Sequence, residues 1–329
     1  MNKLRVALIH RPGKAITGVD SYAGFLKKAL PGVVEAKFFE QAPKDGFDLI
    51  HILDAKKAKA EDFEGQRLPV LIDLHDYYWA GYQFFPSPDA PLRWLIQKIR
   101  KRHYLKMIEL SDGVIVHSQA VANYVSNQKV FLVRMGIDFT DFLNLPEAPR
   151  EPLILLVGRD AFRKGLGTLI LAIRKLKKDF PELRAEVIGR EYLHSRVAGR
   201  ILSLGLNLHF RGELKPEELK KKYQKAMVVY LGSFQEGLGL SLLEGMAAGA
   251  IAIGARAGGI PEILEQGKSG MLFCPGDSEE LAEKIKAVLE SEKLRIKLAK
   301  ASRELVREKF SLERMREDVL GAYEGVLRG

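Results

Sequence analysis

Met227-Val-Val-Tyr-Leu231, then Gly232-Ser-Phe-Gln-Glu-Gly-Leu-Gly239, then Leu240-Ser-Leu-Leu-Glu-Gly-Met-Ala-Ala248 is the stretch that decides how this chain is read. The first five residues are an apolar run of buried-strand length. Gly237 and Gly239 then supply a tight bend, and the Ala-rich run that follows predicts a helix over Leu240–Ala248. A strand that bends through glycines into a helix leaves the first backbone N–H groups of that helix without partners. Those amides and the helix dipole suit an anion, and a phosphate fits them. Glu236 and Glu244 flank the bend. Carboxylates beside a phosphate would repel it, so their chemistry is to accept hydrogen bonds from neutral hydroxyls, as a sugar or a ribose provides. Phosphate and hydroxyls together describe a sugar nucleotide.

The same alternation runs outward in both directions. Leu4–His10 is a continuous apolar strand and Gly18–Leu30 has helical spacing. Further strands are expected at Asp48–Leu53, Pro69–Asp73, Gly113–His117 and Val130–Val133, then at Leu153–Val157, Ala185–Ile188 and Ala250–Gly254. Helices are expected at Lys164–Lys178, Pro216–Lys225, Ser278–Glu290 and Ser311–Leu327. Strands interleaved with helices predict parallel sheets covered on both faces. Pro146, Pro149 and Pro152 place a linker in Leu143–Pro152. The expected domains are therefore 1–145, 146–310 and a closing helix at 311–329. In open α/β sheets ligands bind beyond the carboxyl ends of the strands, so two facing sheets would put an active site in the cleft between domains.

A chain of 329 residues, 47% of them apolar, can bury two cores of roughly 150 residues each. No apolar run approaches the ~20 residues of a bilayer span, and Met-Asn-Lys-Leu-Arg enters a strand pattern, not a signal-peptide core. A cytosolic protein is expected. Cys274 is the only cysteine; it excludes an internal disulfide and a cysteine-cluster metal site, and it reads as a buried, inert thiol. The net charge of +10 admits nucleic acid, a membrane surface or anionic small molecules. No nucleic-acid module accompanies it. One segment, Arg93–Lys106, carries six Lys or Arg and no acid, with Trp94, Leu95, Ile99 and Leu105 for an apolar face. It is either an ordinary helix packed on its sheet or a basic amphipathic helix lying on anionic lipid, peripheral at the inner face of a membrane.

The stretch Ser233–Gly249, followed by Gly258-Gly259-Ile260-Pro261-Glu262, resembles the signature of glycosyltransferase family 4. Val157-Gly158-Arg159 with Lys164-Gly165 is similar to that family's basic pair, Leu74-His75-Asp76 to its N-domain histidine, and Arg134-Met-Gly-Ile-Asp138 to its interdomain element. The matches occur in order over most of the chain. The resemblance implies an α/β protein of the GT-B fold with two Rossmann-like domains. It also implies retaining, hexosyltransferase-type transfer from a nucleoside diphosphate sugar to an acceptor hydroxyl, with the last helix crossing back to the N-terminal domain.

Site residues follow from position and resemblance together. Arg159, after the strand ending at Val157, and Lys164, opening the next helix, form a cation pair suited to a diphosphate leaving group. The amides of Leu238, Gly239 and Leu240 take the distal phosphate. By resemblance Glu236 holds donor sugar hydroxyls, Glu244 the ribose and His75 the transferred sugar. Gly18, in the turn before the first helix, lets backbone approach a ligand; it is alone where the family often has two glycines, with Val19 in the second place. His51 and His117 read as satisfied core or rim histidines. Gly258 and Gly259 either shape the pocket or only connect strand to helix. Ser241, Ala250 and Gly232 stand where the family often carries proline.

No Asp-x-Asp metal motif is present, so cations and amides of the protein are expected to meet the diphosphate charge, without metal or cofactor. The donor is a UDP-, GDP- or ADP-sugar, and the acceptor a glycolipid, polysaccharide or small molecule. Two alternatives stay open: a GT-B epimerase or phosphorylase, and a non-catalytic sugar-nucleotide sensor or partner subunit. Nicotinamide-dependent oxidoreduction fits poorly, because Arg11-Pro-Gly-Lys-Ala-Ile-Thr-Gly18 after the first strand is no Gly-x-Gly-x-x-Gly.

Overall fold

The computed structural model describes residues 3–13, 17–77, 90–126, 128–143, 149–190 and 193–328. In chain order the main elements begin with β1 (Arg5–Ile9), α1 (Gly18–Ala29), β2 (Glu35–Phe39), β3 (Leu49–Ile52), β4 (Val70–Leu74), α2 (Ala90–Glu109), β5 (Gly113–Val116) and β6 (Val130–Leu132). There follow β7 (Glu151–Val157), α3 (Leu166–Leu176), β8 (Arg184–Ile188), α4 (Leu193–Leu202), β9 (Leu208–Gly212), α5 (Pro216–Lys225) and β10 (Ala226–Leu231). The last are α6 (Leu240–Ala247), β11 (Ile251–Ala255), β12 (Met271–Phe273), α7 (Ser278–Glu290), α8 (Glu292–Lys309) and α9 (Leu312–Leu327). The strands β2, β9 and β12 and the helices α4 and α8 were not legible in the sequence.

The chain divides into two compact units. The first holds the described residues of Met1–Tyr82, Pro91–Asp138 and Lys309–Gly329; the body of the second is Phe139–Glu308. The linker expected at Leu143–Pro152 falls in part on residues 144–148, outside the described residues, and Glu151 and Pro152 already belong to β7. Proline is tolerated there because the register with β10 slips: Glu151 pairs with Ala226 but Ile154 with Val228, which leaves an extra residue that makes no ladder bond.

Each unit is a six-stranded parallel sheet. The orders are β2-β1-β3-β4-β5-β6 and β12-β11-β10-β7-β8-β9. In both the chain leaves in one direction from its first strand and then crosses to the other side, so strand order reverses between β1 and β3 and again between β7 and β10. Ligands of doubly wound sheets bind at such reversals, beyond the strands' carboxyl ends.

Side-chain alternation decides what covers each face. In the first sheet Ala7, Ile9, Ile50, Ile52, Ile72, Val114 and Val116 point to one side, where Tyr104, Met107 and Ile108 of α2 pack on them. α1 and α9 pack together, and both reach a buried polar group on the sheet's other face. Tyr323 of α9 is hydrogen-bonded to His51 Nδ1 at 2.9 Å, and the Tyr22 ring of α1 stacks edge-on against His117. α9 is anchored at its start by Ser311, which caps it by accepting from Arg314 N and bridges to Ile137.

α2 carries apolar residues on two sides. Beyond the packed face, Leu92, Leu95, Ile96 and Ile99 form a second stripe at helical spacing and are exposed, Ile99 by 67%. Arg100, Lys101 and Arg102 are exposed too. The side chains of Arg93 and Trp94 lie outside the described residues. Cys274 corrects an expectation: it is exposed, because β12 ends at Phe273 and the chain turns outward through Pro275 and Gly276.

Candidate functional site

The reversal between β7 and β10 in the second unit gathers most of the expected residues. α6 starts on Gly239, whose φ of 104° lies in the left-handed region that glycine favours, and no side chain caps the helix. Its first-turn amides therefore have no side-chain cap, the condition under which a helix start suits an anion. Leu238 itself is buried and anchors the bend.

Lys164 and Glu236 meet across the reversal. The ammonium is ion-paired to Glu236 Oε2, and the Ser233 hydroxyl donates to the same oxygen at 3.0 Å. Burial opposes a charge on Glu236, but Lys164 and Arg163 offset it and hold the carboxyl below its ordinary range. Lys164 does not open a helix as expected. It stands in the turn before α3, which begins after Gly165 at φ 91°. The turn is closed by the Lys164 N–H donating to Asp160 O at 3.2 Å, and Asp160 holds a φ of 60°, rare for a residue with a side chain. Arg159 beside it is exposed.

Gly258 packs directly on the bend. Its φ is 54°, and a Cβ there would sit 1.9 Å from the Glu236 carbonyl oxygen, while the Gly259 N–H donates to that oxygen at 3.0 Å. The second glycine turn thus shapes the backbone that carries Glu236.

Glu244, on α6, accepts a 2.9 Å hydrogen bond from the Tyr223 hydroxyl of α5. Burial pushes its carboxyl up to about 7, against the pull of Tyr223 and Lys220. Tyr223 and Ser233 were missed by sequence reading. Ser233 lies within the quoted stretch, but Tyr223 offered only its place on an amphipathic helix.

The other two expected residues, Gly18 and His75, belong to the first unit. Gly18 opens α1, where Thr17 and Asp20 form a reciprocal capping box; this helix start is satisfied by its own side chains, unlike that of α6. A Cβ at Gly18 would meet nothing within 4 Å, so packing gives no reason for glycine there. His75 follows β4, with Nε2 2.8 Å from Leu53 O. His51 and His117 are buried as expected. His117 is not satisfied, however: its Nδ1 lies 2.9 Å from Val133 O, but its Nε2 has no hydrogen-bond partner.

Comparison with known proteins bears on the family and the fold. The sequence pattern of the family glycosyl transferases group 1 matches residues 139–305, and the chain belongs to that family. A sulfoquinovosyl transferase of Arabidopsis thaliana is 37% identical over 163 residues, 47% of this chain and 30% of the plant protein. An N-acetyl-alpha-D-glucosaminyl L-malate synthase of Bacillus anthracis is 24% identical over 94% of this chain and 83% of its own. The chain spans less than a third of the first of these relatives. Among solved structures, a sucrose-phosphate synthase of Thermosynechococcus elongatus superposes with a TM-score of 0.80 at 22% identity, covering 99% of this chain and 100% of that one. The Anabaena protein HepE, solved with UDP and glucose, gives 0.76 at 18% identity, with 98% and 100% covered. The fold is GT-B, as the resemblance implied.

Proposed function

We propose that this chain transfers a sugar from a nucleoside diphosphate sugar to an acceptor hydroxyl, with retention of anomeric configuration. The observation that carries the reading is the uncapped start of α6 beside the Lys164–Glu236 pair, with Glu244 about one turn further along the same helix. The distal phosphate takes the amides of Leu238, Gly239 and Leu240. Arg159 and Lys164 neutralise the diphosphate as the sugar–phosphate bond breaks, a contact that strengthens with developing charge and so lowers the barrier. Glu236, kept ionised by Lys164, accepts hydrogen bonds from sugar hydroxyls, and Glu244 from the ribose. In the family resemblance, His75 is the residue assigned to the transferred sugar and Gly18 a point of ligand approach. The leaving phosphate helps to deprotonate the acceptor, so no side chain is assigned as base or nucleophile.

The test is a thermal-shift screen of UDP-, GDP- and ADP-sugars, followed by assay of nucleoside diphosphate release with an acceptor present. A saturating donor at a hundredfold excess over Kd stabilises the fold by about 2.7 kcal/mol. Binding without release on any acceptor would favour the sensor reading, and no binding at all would reject both. Because protein cations meet the leaving group, turnover should persist when Mg²⁺ and Mn²⁺ are omitted.

A membrane surface is proposed as the setting, on the strength of the exposed stripe Leu92–Ile99 and its basic neighbours on α2. Among the described residues no helix is long and apolar enough to cross a membrane, so contact would be peripheral, and a lipid-linked acceptor would suit it.

A further inference from the structure

Asp73, His75 and His117 lie at the carboxyl ends of the adjacent strands β4 and β5, where Asp73 pairs with Ile115 and Leu74 with Val116. One ligand atom from each falls within 4.8 Å of the others. We propose that these three side chains bind a divalent first-row transition cation of the zinc type, at a site that shares His75 with the sugar contact of the donor reading but none of its phosphate-binding residues.

The tautomers argue for it. A backbone carbonyl can only accept, so the His75 nitrogen facing Leu53 O, Nε2, carries the proton, and its Nδ1 presents a lone pair. By the same logic the Nδ1 of His117 donates to Val133 O, and its Nε2 presents a lone pair. Each imidazole is thus oriented and fixed in tautomer by a carbonyl on its far nitrogen, the arrangement that outer partners impose on metal-binding histidines.

Two ligand atoms are unpartnered: His117 Nε2 and Asp73 Oδ1 are buried without a hydrogen-bond partner, His117 being 2% exposed and Asp73 0%. Buried orphans of this kind are costly, and a cation would satisfy both at once. His51 Nε2 stands 3.0 Å from Asp73 Oδ2, and Tyr323 of α9 holds His51 in turn. His75 is only half-buried, which leaves a side open for entry and for a further ligand.

The donor set decides the ion. Two imidazoles and one carboxylate suit zinc and its neighbours, whereas magnesium and calcium prefer oxygen ligands throughout. Two bonds of about 2.0–2.2 Å span at most about 4.4 Å, so binding would draw together three ligand atoms that lie within 4.8 Å of one another.

The experiment uses the untagged full chain, stripped with a chelator, dialysed and titrated with Co²⁺ and then Zn²⁺. One equivalent of Co²⁺ should bring up visible d–d absorption, Zn²⁺ should displace it, and Zn²⁺ should raise Tm. His75→Ala removes a half-buried ligand with little risk to folding and should weaken binding about 100-fold or more, beyond what the loss of an outer partner costs. Asp73→Asn, folded by circular dichroism, should do the same. If the wild type takes up neither ion, or if His75→Ala binds as tightly as the wild type, the proposal is wrong. Both results are read as metal uptake alone, so their failure is distinguishable from failure of the donor screen.

Discussion

The Lys164 ammonium is ion-paired to the Glu236 carboxylate with the two side chains only 12% and 11% exposed, so removing Lys164 takes from a buried carboxylate the cation bonded to it. Lys164→Ala should cost about 3–5 kcal/mol of stability, the penalty for an uncompensated buried charge. Adding Glu236→Gln should recover part of that stability but no activity. Arg159 is exposed, and Arg159→Ala should change stability by no more than about 0.5 kcal/mol. Both single variants should lower turnover about 100-fold. Denaturant melts and initial rates separate the two effects; a Lys164→Ala protein as stable as the wild type would show the pair to be energetically empty.

Glu244 makes donor binding depend on pH near neutrality. Its folded-state carboxyl is raised to about 7 from an ordinary value near 4.5, so the folded chain holds a proton that the unfolded chain has released. The stabilising contribution is complete below the unfolded value and is lost as pH rises through about 7. Ribose hydroxyls need the carboxylate, so donor KM should rise about tenfold per pH unit below 7. Glu244→Gln should flatten that profile. Tyr223→Phe removes a bond that favours the ionised form and should move the inflection upward. A wild-type donor KM that is flat from pH 5.5 to 8, spanning the value of about 7, would detach Glu244 from the ribose.

Gly258 has no room for a side chain. Gly258→Ala places a Cβ 1.9 Å from Glu236 O at a φ of 54°, and strain of this kind costs about 1–3 kcal/mol. Because the bend itself must shift, donor affinity should fall along with Tm. Gly321→Ala, inside α9 with nothing within 4 Å of the added methyl, is the control and should raise stability by up to about 1 kcal/mol. Equal Tm values for the Gly258 variant and the wild type would contradict the packing of this turn on the bend.

What the sequence revealed follows from burial. Strands paired on both sides, such as Val70–Leu74 and Ala226–Leu231, are almost wholly buried and read as apolar runs. Three of the four edge strands did not: Glu35–Phe39 has no fully buried residue, and its polar alternation is indistinguishable from a loop. The helix Glu292–Lys309 was missed for a similar reason, with only Leu298, Ser302, Leu305 and Val306 buried among charges. In the site, the local stretch Ser233–Glu244 was legible because its residues are close in sequence. Tyr223 on Glu244, and the convergence of His51, Asp73, His75 and His117, depend on which strands become neighbours, and no local pattern encodes that. Cys274 misled because cysteine is usually buried, and the Pro275-Gly276 turn after it overrides the habit.

The exposed stripe on α2 gives the last prediction. A helix that already buries Tyr104, Met107 and Ile108 gains nothing in solution from a second apolar side at Leu92, Leu95, Ile96 and Ile99, which there only adds exposed hydrocarbon. Set into the interfacial region of a bilayer, that stripe is buried, and Arg100, Lys101 and Arg102 lie at the level of the headgroups. The chain should therefore co-sediment with vesicles containing acidic phospholipid at low salt. It should detach as salt rises and bind neutral vesicles weakly, since each cation near the surface is worth about 1 kcal/mol and is screened. Reversing the three cations to glutamate should abolish sedimentation without altering Tm. Leu95→Ser with Ile99→Ser should weaken it at every salt concentration, because the apolar part is not screened. If acidic vesicles at low salt leave the wild type in the supernatant, α2 does not meet lipid, and a water-soluble acceptor becomes the substrate to pursue.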